Sequence, residues 1–517
     1  MRFRLIANRI GLRDRASNFE VAIDRSSSFD RSLDFEVAPA RPRSHIIETD
    51  KRSSLNFASA RRRSPGVGRA FWGSRSRLVV WTISFVVALG FFDGTTRGGD
   101  FSKLKPKIDA ELRSDLKAHW YPHAVDRERG GFHQNMADDW SLLDDPKASI
   151  VYQARMTWTA AAFAAFSPAD RQEYLGYARH GIAFLDGAMR DRDHGGFFWE
   201  IDRDRPIAAA ERHEKHAYGL AFVIYAAATV YEITHDEIAL KTARDAFDFL
   251  DSHAHDTANG GYFEALERDG SPLARLEPAA PPSTPVDRLG IPRGYKTMNS
   301  HIHLLEALTV LARIDKREVV QNRFHELFLI VRDKIAVEPG ALNLYLTVDW
   351  RAVPGHDSFG HDVEAAYLLE EAARELNLAD DPKTRRVARD LVDHALDHGW
   401  DGEFGGFYDK GEAIAAPPFD LEKIWWTQYE GLNALLLMHK QYGGETDRYA
   451  NAFQMQWKFI EDYMIDPKHG GAVRRTTRDG KIHAGETKAD AWKANYHASR
   501  ALMNVSKELE SVGNTKK

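Results

Sequence analysis

The chain of 517 residues contains no cysteine. This absence excludes disulfide bridges, thiolate catalysis and cysteine-based metal sites at once. The sequence also lacks the Rossmann glycine fingerprint and the P-loop, two glycine-rich motifs that cradle nucleotide phosphates. The sequence therefore shows no motif for a nucleotide or redox cofactor, and we expect none.

Negative charge exceeds positive charge beyond the first 77 residues. Residues 1–77 hold 17 Lys and Arg against 8 Asp and Glu, whereas the remainder holds 53 against 68. Nucleic-acid binding needs clustered positive charge, so the acidic body argues against a nucleic-acid partner. The basic, serine-rich segment 1–77 has no periodic apolar face and is predicted to be disordered. Its composition favours a role in targeting over direct binding to nucleic acid or membrane.

An apolar run of 15 residues, Leu78–Phe92, follows this basic segment. It is short for a bilayer span of about 20 residues and resembles the hydrophobic region of a signal peptide, with Ala88 and Gly90 as small cleavage-site residues. Its distance from the first residue is unusual for a signal peptide, so a wrongly assigned start and a signal anchor are the alternatives. We expect export or membrane anchoring if segment 78–92 is genuine, and a cytoplasmic protein otherwise. Membrane contact is expected only through this segment.

Glycine pairs recur at a fixed spacing of 65 residues in the rest of the chain. The pairs begin at Gly130, Gly195, Gly260, Gly405 and Gly470, with a degenerate copy at Gly340. Only the step from Gly260 to Gly340 is longer, at 80 residues, and the proline-rich stretch Leu273–Pro292 accounts for the difference as an inserted loop. Self-similarity at a fixed period is typical of a repeat architecture, here with six units.

Each unit contains a strongly apolar helical segment, and amphipathic segments alternate with these. The apolar segments begin near Tyr152, His216, Asn299, Gly360, Trp425 and Asn495, and the clearest amphipathic ones are Arg171–Met189, Glu237–His253, Lys383–His398 and Asp447–Tyr463. An apolar helix of this kind must be buried on every side, whereas an amphipathic one suits an outer layer. The pattern predicts an all-α fold, an (α/α)6 barrel spanning 103–511, with tight turns and short β-hairpins at the glycine pairs.

Chemically active residue types are concentrated at the starts of the six apolar segments. In chain order these starts carry Arg155 and Trp158; Lys215, His216 and Tyr218; Asn299, His301, His303 and Glu306; His361, Asp362, Glu364 and Tyr367; Trp425, Trp426, Gln428 and Glu430; and Asn495, Tyr496 and His497. In a ring, the six starts open on one end, so one mouth is expected to hold the site. A single histidine at a helix start is more often a capping residue, but its recurrence in four of six units favours a functional site.

Two of these segments pair histidine with glutamate three residues later, His303 with Glu306 and His361 with Glu364. This spacing puts imidazole and carboxylate on one helix face, where the carboxylate can fix the tautomer of the ring and raise its basicity. The same spacing occurs in di-metal helical bundles, which keeps a metal site open as the less favoured interpretation.

The aromatic residues at the same mouth indicate a carbohydrate ligand. Trp425 and Trp426 are adjacent and cannot both face inward on an ideal helix, so one of them is expected at the helix end, free to stack on a sugar. Aromatic faces together with Arg, Asn, Gln and Glu suit a ligand that is polar at its rim and apolar on its C–H faces.

Six segments carry a resemblance to a known family. They are QARMTWT (153–159), KHAYGLAFVIYA (215–226), MNSHIHLLEAL (298–308), GHDVEAAYLL (360–369), WWTQYEGL (425–432) and NYHASRAL (495–502). Together they resemble the N-acylglucosamine 2-epimerase superfamily over about 400 residues. The GHD-x-E element after an N-x-H-x-H-x-x-E helix makes the chain most similar to the cellobiose 2-epimerase branch.

The resemblance implies a sugar 2-epimerase in which two histidines face each other across C2 of the sugar. The matching positions are His303 and His497. The resemblance also implies roles in substrate binding for Arg155 (sugar oxygens), Glu306 (partner of His303), His216, His361, Glu364, Tyr367, and Trp425 and Trp426 (stacking), and no metal.

Two positions depart from the family pattern. The family often has tryptophan where this chain has Tyr367, which bears on a preference for disaccharides. It often has proline where this chain has Asn495, which leaves the chemistry unchanged. The expected partner is a mono- or disaccharide with a reducing end, bound by a monomer or dimer.

The reaction itself calls for two bases. Inverting C2 of an aldose requires removal of a proton from one face of the opened sugar and its return to the other face of a planar enediolate. Histidine suits both steps because its pKa lies near neutral pH, and Arg155 could stabilise charge developing on the oxygens. Return of the proton to C1 would make the same site an aldose–ketose isomerase.

Two further alternatives stay open. A glycoside hydrolase on the same scaffold would need a pair of carboxylates, for which Asp362, Glu364 and Glu430 are candidates. A carbohydrate-binding protein would leave its ligand unchanged.

Overall fold

The computed structural model describes residue 101 and residues 103–205, 213–273, 286–412 and 417–514. The predicted segments 1–77 and 78–92 lie outside these residues, as does most of the stretch Leu273–Pro292.

Thirteen α-helices lie in the described residues. They are α1 (Leu104–Ser114), α2 (Tyr121–Ala124), α3 (Ile150–Phe166), α4 (Arg171–Phe184), α5 (Ala217–Thr234), α6 (Glu237–His253), α7 (Met298–Ile314), α8 (Glu318–Ile330), α9 (Phe359–Glu375), α10 (Pro382–His398), α11 (Trp425–Tyr442), α12 (Arg448–Phe459) and α13 (Tyr496–Asn514). Helices α1, α4, α8 and α12 each run on into a π-helical turn, namely Asp115–Trp120, Leu185–Met189, Val331–Ile335 and Ile460–Met464. The helix-rich architecture predicted from the sequence is confirmed, and the six apolar helices begin within two residues of the predicted positions.

Six helices form an inner layer, α3, α5, α7, α9, α11 and α13. Each contacts the next in this order, and α13 also contacts α3, so the contacts form a cycle. Each inner helix packs against one outer helix, α4, α6, α8, α10, α12 and, for α13, α1. The first and last long helices of the described chain are therefore neighbours.

Helix α5 shows why the inner segments are apolar on all sides. It is the one described helix that is long and apolar enough to cross a membrane by length and composition. All residues from 217 to 230 are buried in this structure, because the helix lies between α3 and α7 with α6 behind it. Burial of these residues inside the protein accounts for the apolar composition of the helix.

Short antiparallel strands connect the repeats. The strands are β1 (Lys147–Ser149), β2 (Glu200–Asp202), β3 (Lys215–His216), β4 (Ala265–Leu266), β5 (Lys296–Thr297), β6 (Ala336–Val337), β7 (Ala341–Leu342), β8 (Tyr345–Leu346), β9 (Ala352–Val353), β10 (Asp357–Ser358), β11 (Lys410–Gly411), β12 (Pro418–Asp420), β13 (Lys423–Ile424) and β14 (Arg475–Thr476). The strand before an inner helix pairs with a strand of the following repeat, as in β1 with β2, β3 with β4, β5 with β8, β10 with β11 and β13 with β14. A bridge between Met136 and Ala489 supplies the sixth connection.

The glycine pairs form tight turns at the ends of the outer helices. Both residues of the first pair, Gly130 and Gly131, have positive φ, at 81° and 68°. A Cβ atom on Gly131 would lie 2.6 Å from Oε1 of Gln153, so the turn excludes any side chain there.

A buried lysine closes most of these turns. Lys215 donates to the carbonyl of Gly195 at 2.5 Å and lies 3.0 Å from the Asp191 carboxylate, four residues before that glycine. The same Asp–Gly–Lys set recurs in three further repeats, as Asp256, Gly260 and Lys296; Asp401, Gly405 and Lys423; and Asp466, Gly470 and Lys488. Each of the first three lysines lies just before an inner helix, so these contacts fix the glycine turn to the start of that helix.

Candidate active site

The starts of the inner helices surround one cavity. Its lining residues are Arg155, Tyr218, Thr297, Met298, Asn299, His303, Leu344, Tyr345, His361, Glu364, Asp409, Trp425, Trp426, Trp492 and His497. Every inner helix contributes through its first two turns, and α13 does so through its second residue, His497. Seven of the ten residues predicted for the site lie on this cavity.

His303 is held by a carboxylate on its own helix. Its Nδ1 lies 3.1 Å from Oε2 of Glu306, which the i,i+3 spacing on α7 places on the same face. Since Nδ1 is engaged by the carboxylate, Nε2 is the nitrogen left for the cavity. The Glu306 carboxylate also accepts hydrogen bonds from the hydroxyl of Tyr496, at 2.5 and 2.6 Å.

His497 is held in the same way by a neighbouring helix. Its Nδ1 lies 2.8 Å from Oε1 of Glu430 on α11, and 3.7 Å from Oε1 of Glu364 on α9. The two predicted bases thus have matching surroundings, with a glutamate behind Nδ1 of each ring.

Arg500 connects the two histidine–glutamate pairs. Its Nη1 donates to Glu306, and its Nη2 donates to Glu364 and, at 2.6 Å, to Glu430. The side chain of Arg500 is 3% exposed, so a full positive charge sits inside the ring against three buried carboxylates.

These buried charges shift the pKa values of the glutamates in opposite directions. Burial raises the pKa of Glu306, but Arg500 and the hydrogen bond with His303 outweigh it and hold the pKa at about 2. Burial raises the pKa of Glu430 to about 8, with Arg500 opposing the rise and Glu364 adding to it. One guanidinium cannot offset three carboxylates, so the cluster keeps a proton near neutral pH.

The surroundings of His497 favour the neutral imidazole. Burial lowers its pKa well below the usual value, and the positive charges of Arg155 and Arg500 lower it further. Burial, followed by the charge of His303, lowers the pKa of His361 to about 3. Both rings are therefore neutral at pH 7, and a neutral imidazole can accept a proton.

Arg155 lies at the opposite side of the cavity from α9. It donates through Nη1 to the carbonyl of Trp492 at 2.7 Å and through Nη2 to the hydroxyl of Tyr218 at 2.8 Å, and its guanidinium lies 4.5 Å from the ring centre of Phe222. These contacts fix a cation at the cavity wall, where it can face the oxygens of a bound sugar.

Aromatic rings cover another side of the cavity. Trp425 is the first residue of α11, which lets both it and Trp426 reach the cavity. The ring of Trp426 lies 4.7 Å from that of His361 and 5.5 Å from that of His497. Nδ1 of His361 is 2.7 Å from the hydroxyl of Ser358, which sets the orientation of that ring.

Three predicted residues do not line the cavity. Glu306 lies behind His303. His216 is fully buried, with its ring 4.8 Å from that of Trp199 and its nitrogens 3.6 and 3.9 Å from Glu214 and Glu264. Tyr367 packs below the site, with its ring centre 5.9 Å from the guanidinium of Arg500.

Arg500, Trp492 and Asp409 belong to the site but were not predicted from the sequence. Arg500 follows His497 by three residues, the spacing already noted for histidine and glutamate, and this was the available signal. Trp492 and Asp409 come from loops, for which a helical pattern gives no signal. His301 also occurs at a helix start, but it is not a cavity residue. Its Nε2 accepts a hydrogen bond from the backbone N–H of Tyr262 at 3.1 Å and so holds the adjacent glycine turn.

The group Glu364, Glu430 and His497 also has the composition of a metal site, with its ligand atoms within 4.8 Å of one another. Arg500 already bonds to both glutamates of this group. A guanidinium in that position opposes a second cation, so the arrangement disfavours a metal there.

Known proteins match this chain over the whole region that carries the six repeats. The family model described as N-acylglucosamine 2-epimerase (GlcNAc 2-epimerase) matches residues 130–501. A cellobiose 2-epimerase of Bacteroides fragilis is 28% identical over 410 residues, which are 78% of this chain and 98% of that protein. A D-mannose isomerase of Marinomonas mediterranea is 25% identical over 429 residues, 78% of this chain and 98% of that protein.

Solved structures are similar over the same region. The structure of cellobiose 2-epimerase from Spirochaeta thermophila covers 80% of this chain and 99% of its own chain, with a TM-score of 0.68 and 31% sequence identity. The similarity therefore extends through all six repeats and through the helices that carry the cavity residues.

Proposed function

Because the chain belongs to the N-acylglucosamine 2-epimerase family and is therefore a carbohydrate isomerase, we propose that it interconverts aldoses epimeric at C2. The observation that carries this proposal is the pair His303 and His497. Both line one cavity, each has a glutamate behind Nδ1, and they come from α7 and α13. These helices are separated by two others in either direction around the cycle, as two bases acting on opposite faces of one carbon require.

In the proposed reaction, one histidine removes the C2 proton of the opened sugar and the other returns a proton to the opposite face. The neutral state of His497 suits it to accept a proton. The enediolate formed between the two steps carries negative charge on its oxygens, and Arg155 is the cation at the cavity wall that stabilises it. His361 and Glu364 supply further hydrogen bonds to sugar hydroxyls.

The proposed substrate is a mono- or disaccharide with a free reducing end, such as cellobiose or an N-acylglucosamine. Trp425 and Trp426 present aromatic faces on which a sugar ring can stack. Tyr367, the position at which the family often has tryptophan, does not line the cavity and so does not itself limit the sugar that enters.

The proposal extends to the fold, as a closed (α/α)6 barrel over 103–511 with β-hairpins at the glycine-pair turns. The cycle of inner-helix contacts and the packing of α1 on α13 support closure. A hydrolase on this scaffold is disfavoured because Glu364 and Glu430 share one nitrogen of Arg500. Two carboxylates so close on one side cannot flank a glycosidic bond.

The test is incubation with cellobiose, glucose, mannose and N-acetylglucosamine in heavy water, followed by NMR at C2. An epimerase gives both C2 epimers with deuterium at C2 and an intact glycosidic bond. A ketose product identifies an aldose–ketose isomerase, and release of monosaccharide identifies a hydrolase. Four unchanged sugars would overturn the proposed epimerisation of these substrates.

A further inference from the structure

Three buried side chains meet beside the first turn of α9, outside the cavity. Asp357 lies on β10, Asp362 on α9 and His394 on α10, and the three are 3%, 0% and 4% exposed. None of them lines the cavity, and the proposed reaction uses none of them.

The donor atoms of this cluster have the spacing of a metal-ligand set. Nδ1 of His394 lies 3.4 Å from Oδ2 of Asp357 and 3.6 Å from Oδ2 of Asp362, and all three donors are within 4.8 Å of one another. Zinc holds nitrogen and oxygen ligands at about 2.1 Å, which puts two ligands of a tetrahedral site about 3.4 Å apart. The observed separations therefore leave room for one ion between the side chains.

Several of these polar atoms have no other partner. Among the described residues, neither ring nitrogen of His394 has a hydrogen-bond partner, and the same holds for Oδ1 of Asp357 and Oδ2 of Asp362. Two carboxylates and an unsatisfied imidazole are costly to bury unless protons or a cation neutralise the carboxylates. Arginine and lysine, which compensate the carboxylates of the active site and the glycine turns, form no ion pair with these three residues in the described part of the chain.

We propose that Asp357, Asp362 and His394 bind one divalent transition-metal ion of the Zn²⁺ type. One imidazole and two carboxylates form a mixed set of nitrogen and oxygen donors. Zn²⁺ binds such mixed sets, whereas Ca²⁺ and Mg²⁺ prefer oxygen donors alone.

The ion has a structural role in this position. It joins β10, α9 and α10, the three elements that carry Asp357, Asp362 and His394. Ser358, adjacent to Asp357, contacts Nδ1 of His361 at 2.7 Å, so the ion stabilises the turn that orients a cavity residue. It has no contact with the cavity and takes no part in proton transfer.

The test measures zinc directly, on the full-length chain. The protein is stripped with a chelator, equilibrated by dialysis against Zn²⁺ and analysed for bound metal, and its thermal unfolding is followed with and without Zn²⁺. One tightly held ion and a rise in Tm with zinc are expected, because a ligand that binds only the folded state stabilises it. A wild-type chain that retains no zinc would overturn the proposal without any variant.

Variants locate the ion. Asp362→Asn keeps the oxygen that accepts from the backbone of Leu342 at 3.1 Å but removes the charge, and His394→Gln removes the nitrogen donor. Both are expected to hold one zinc fewer than wild type and to lose the rise in Tm. His398→Gln is the matched control, since its ring lies 4.8 Å from that of His394 without belonging to the cluster, and it should bind as wild type does.

Two results would contradict this location. One is equal zinc in wild type and in either variant, with folding checked by circular dichroism. If neither variant folds, NMR of the Co²⁺-loaded wild type decides instead. One strongly shifted imidazole signal is expected because one histidine coordinates the ion, and its absence would reject the site.

Discussion

Arg500 donates a hydrogen bond to Glu430 at 2.6 Å inside the ring, and Glu430 in turn contacts Nδ1 of His497 at 2.8 Å. The same guanidinium reaches Glu306, the partner of His303. A single buried cation therefore connects the supports of both proposed bases. The imidazole rings of His303 and His497 are therefore both positioned by glutamates that share the charge of Arg500.

Arg500→Gln is expected to destabilise the protein by about 3–5 kcal/mol, because removal of one partner leaves buried carboxylates without compensation. The measurement is the free energy of unfolding from chemical denaturation. Arg351→Gln is the matched control, since Arg351 pairs with Asp349 at the surface with its side chain 73% exposed. Solvent screens that pair, so its loss should change stability little. Equal effects of the two substitutions would contradict the proposed role of Arg500.

His303→Asn and His497→Asn are each expected to reduce epimerisation by about 10² to 10⁴-fold, since asparagine is polar and of similar size but cannot relay a proton at neutral pH. The turnover of both C2 epimers is measured by NMR. Near-normal epimerisation in both variants, or loss that follows unfolding, would show that the two-histidine mechanism is wrong.

The same two variants should differ in deuterium exchange. A variant that keeps the base on the proton-bearing face of a sugar can exchange its C2 proton with heavy water without inverting the centre. The other variant should exchange only the epimeric sugar. Identical exchange patterns in both variants would be inconsistent with bases on opposite faces.

The stability contributed by Glu430 should depend on pH. Its folded-state pKa is raised from 4.5 to about 8, by burial first and then by Glu364, so between these values the folded state binds more protons than the unfolded state. The free energy of unfolding contributed by this group is fully present below pH 4.5 and is lost as pH rises through about 8. Glu430→Gln cannot titrate, so the stability of wild type relative to this variant should fall across that range, as measured by denaturation at several pH values. A constant difference would indicate that Glu430 is ionised throughout.

A chain that begins at Phe101 is expected to fold and keep its activity. Phe101 is buried, with its ring 5.2 Å from that of His439 and 4.9 Å from that of Phe453, and α1 begins three residues later at Leu104. A chain that begins at Leu104 lacks this contact and should lose about 3–5 kcal/mol, the usual cost of deleting a buried Phe side chain. Thermal unfolding of the two proteins and of the full chain is the measurement. Insolubility of the chain starting at Phe101 would mean that the preceding residues are structural.

Much of the fold could be predicted because it is repeated. The spacing of the glycine pairs located the turns. Apolar residues on every face of the helix distinguished inner helices such as α5 from the amphipathic outer ones. The family resemblance drawn from the motifs is confirmed. Contacts between residues far apart in the sequence could not be predicted from it. The hydrogen bond between Glu306 and Tyr496, which are 190 positions apart, is an example.

The limits of prediction within the site have the same cause. Glu306 could be paired with His303 because the two share a helix face, whereas the pairing of Glu430 with His497 crosses between helices and has no local signal. His216 begins its helix like the other site histidines, yet its ring turns into the protein beside Trp199, a direction that depends on packing alone. The role of His216 in substrate binding remains a prediction.

The packing of α1 against α13 has a consequence for the order in which the protein matures. Helix α13 brings His497 and Arg500 and follows the other described helices in sequence, while its outer partner α1 precedes them. A nascent chain whose α13 is still inside the ribosome lacks one proposed base, the shared cation and the contact with α1. The enzyme can therefore become active only once α13 has emerged and packed against α1, and truncation just before Tyr496 should leave an inactive, open chain.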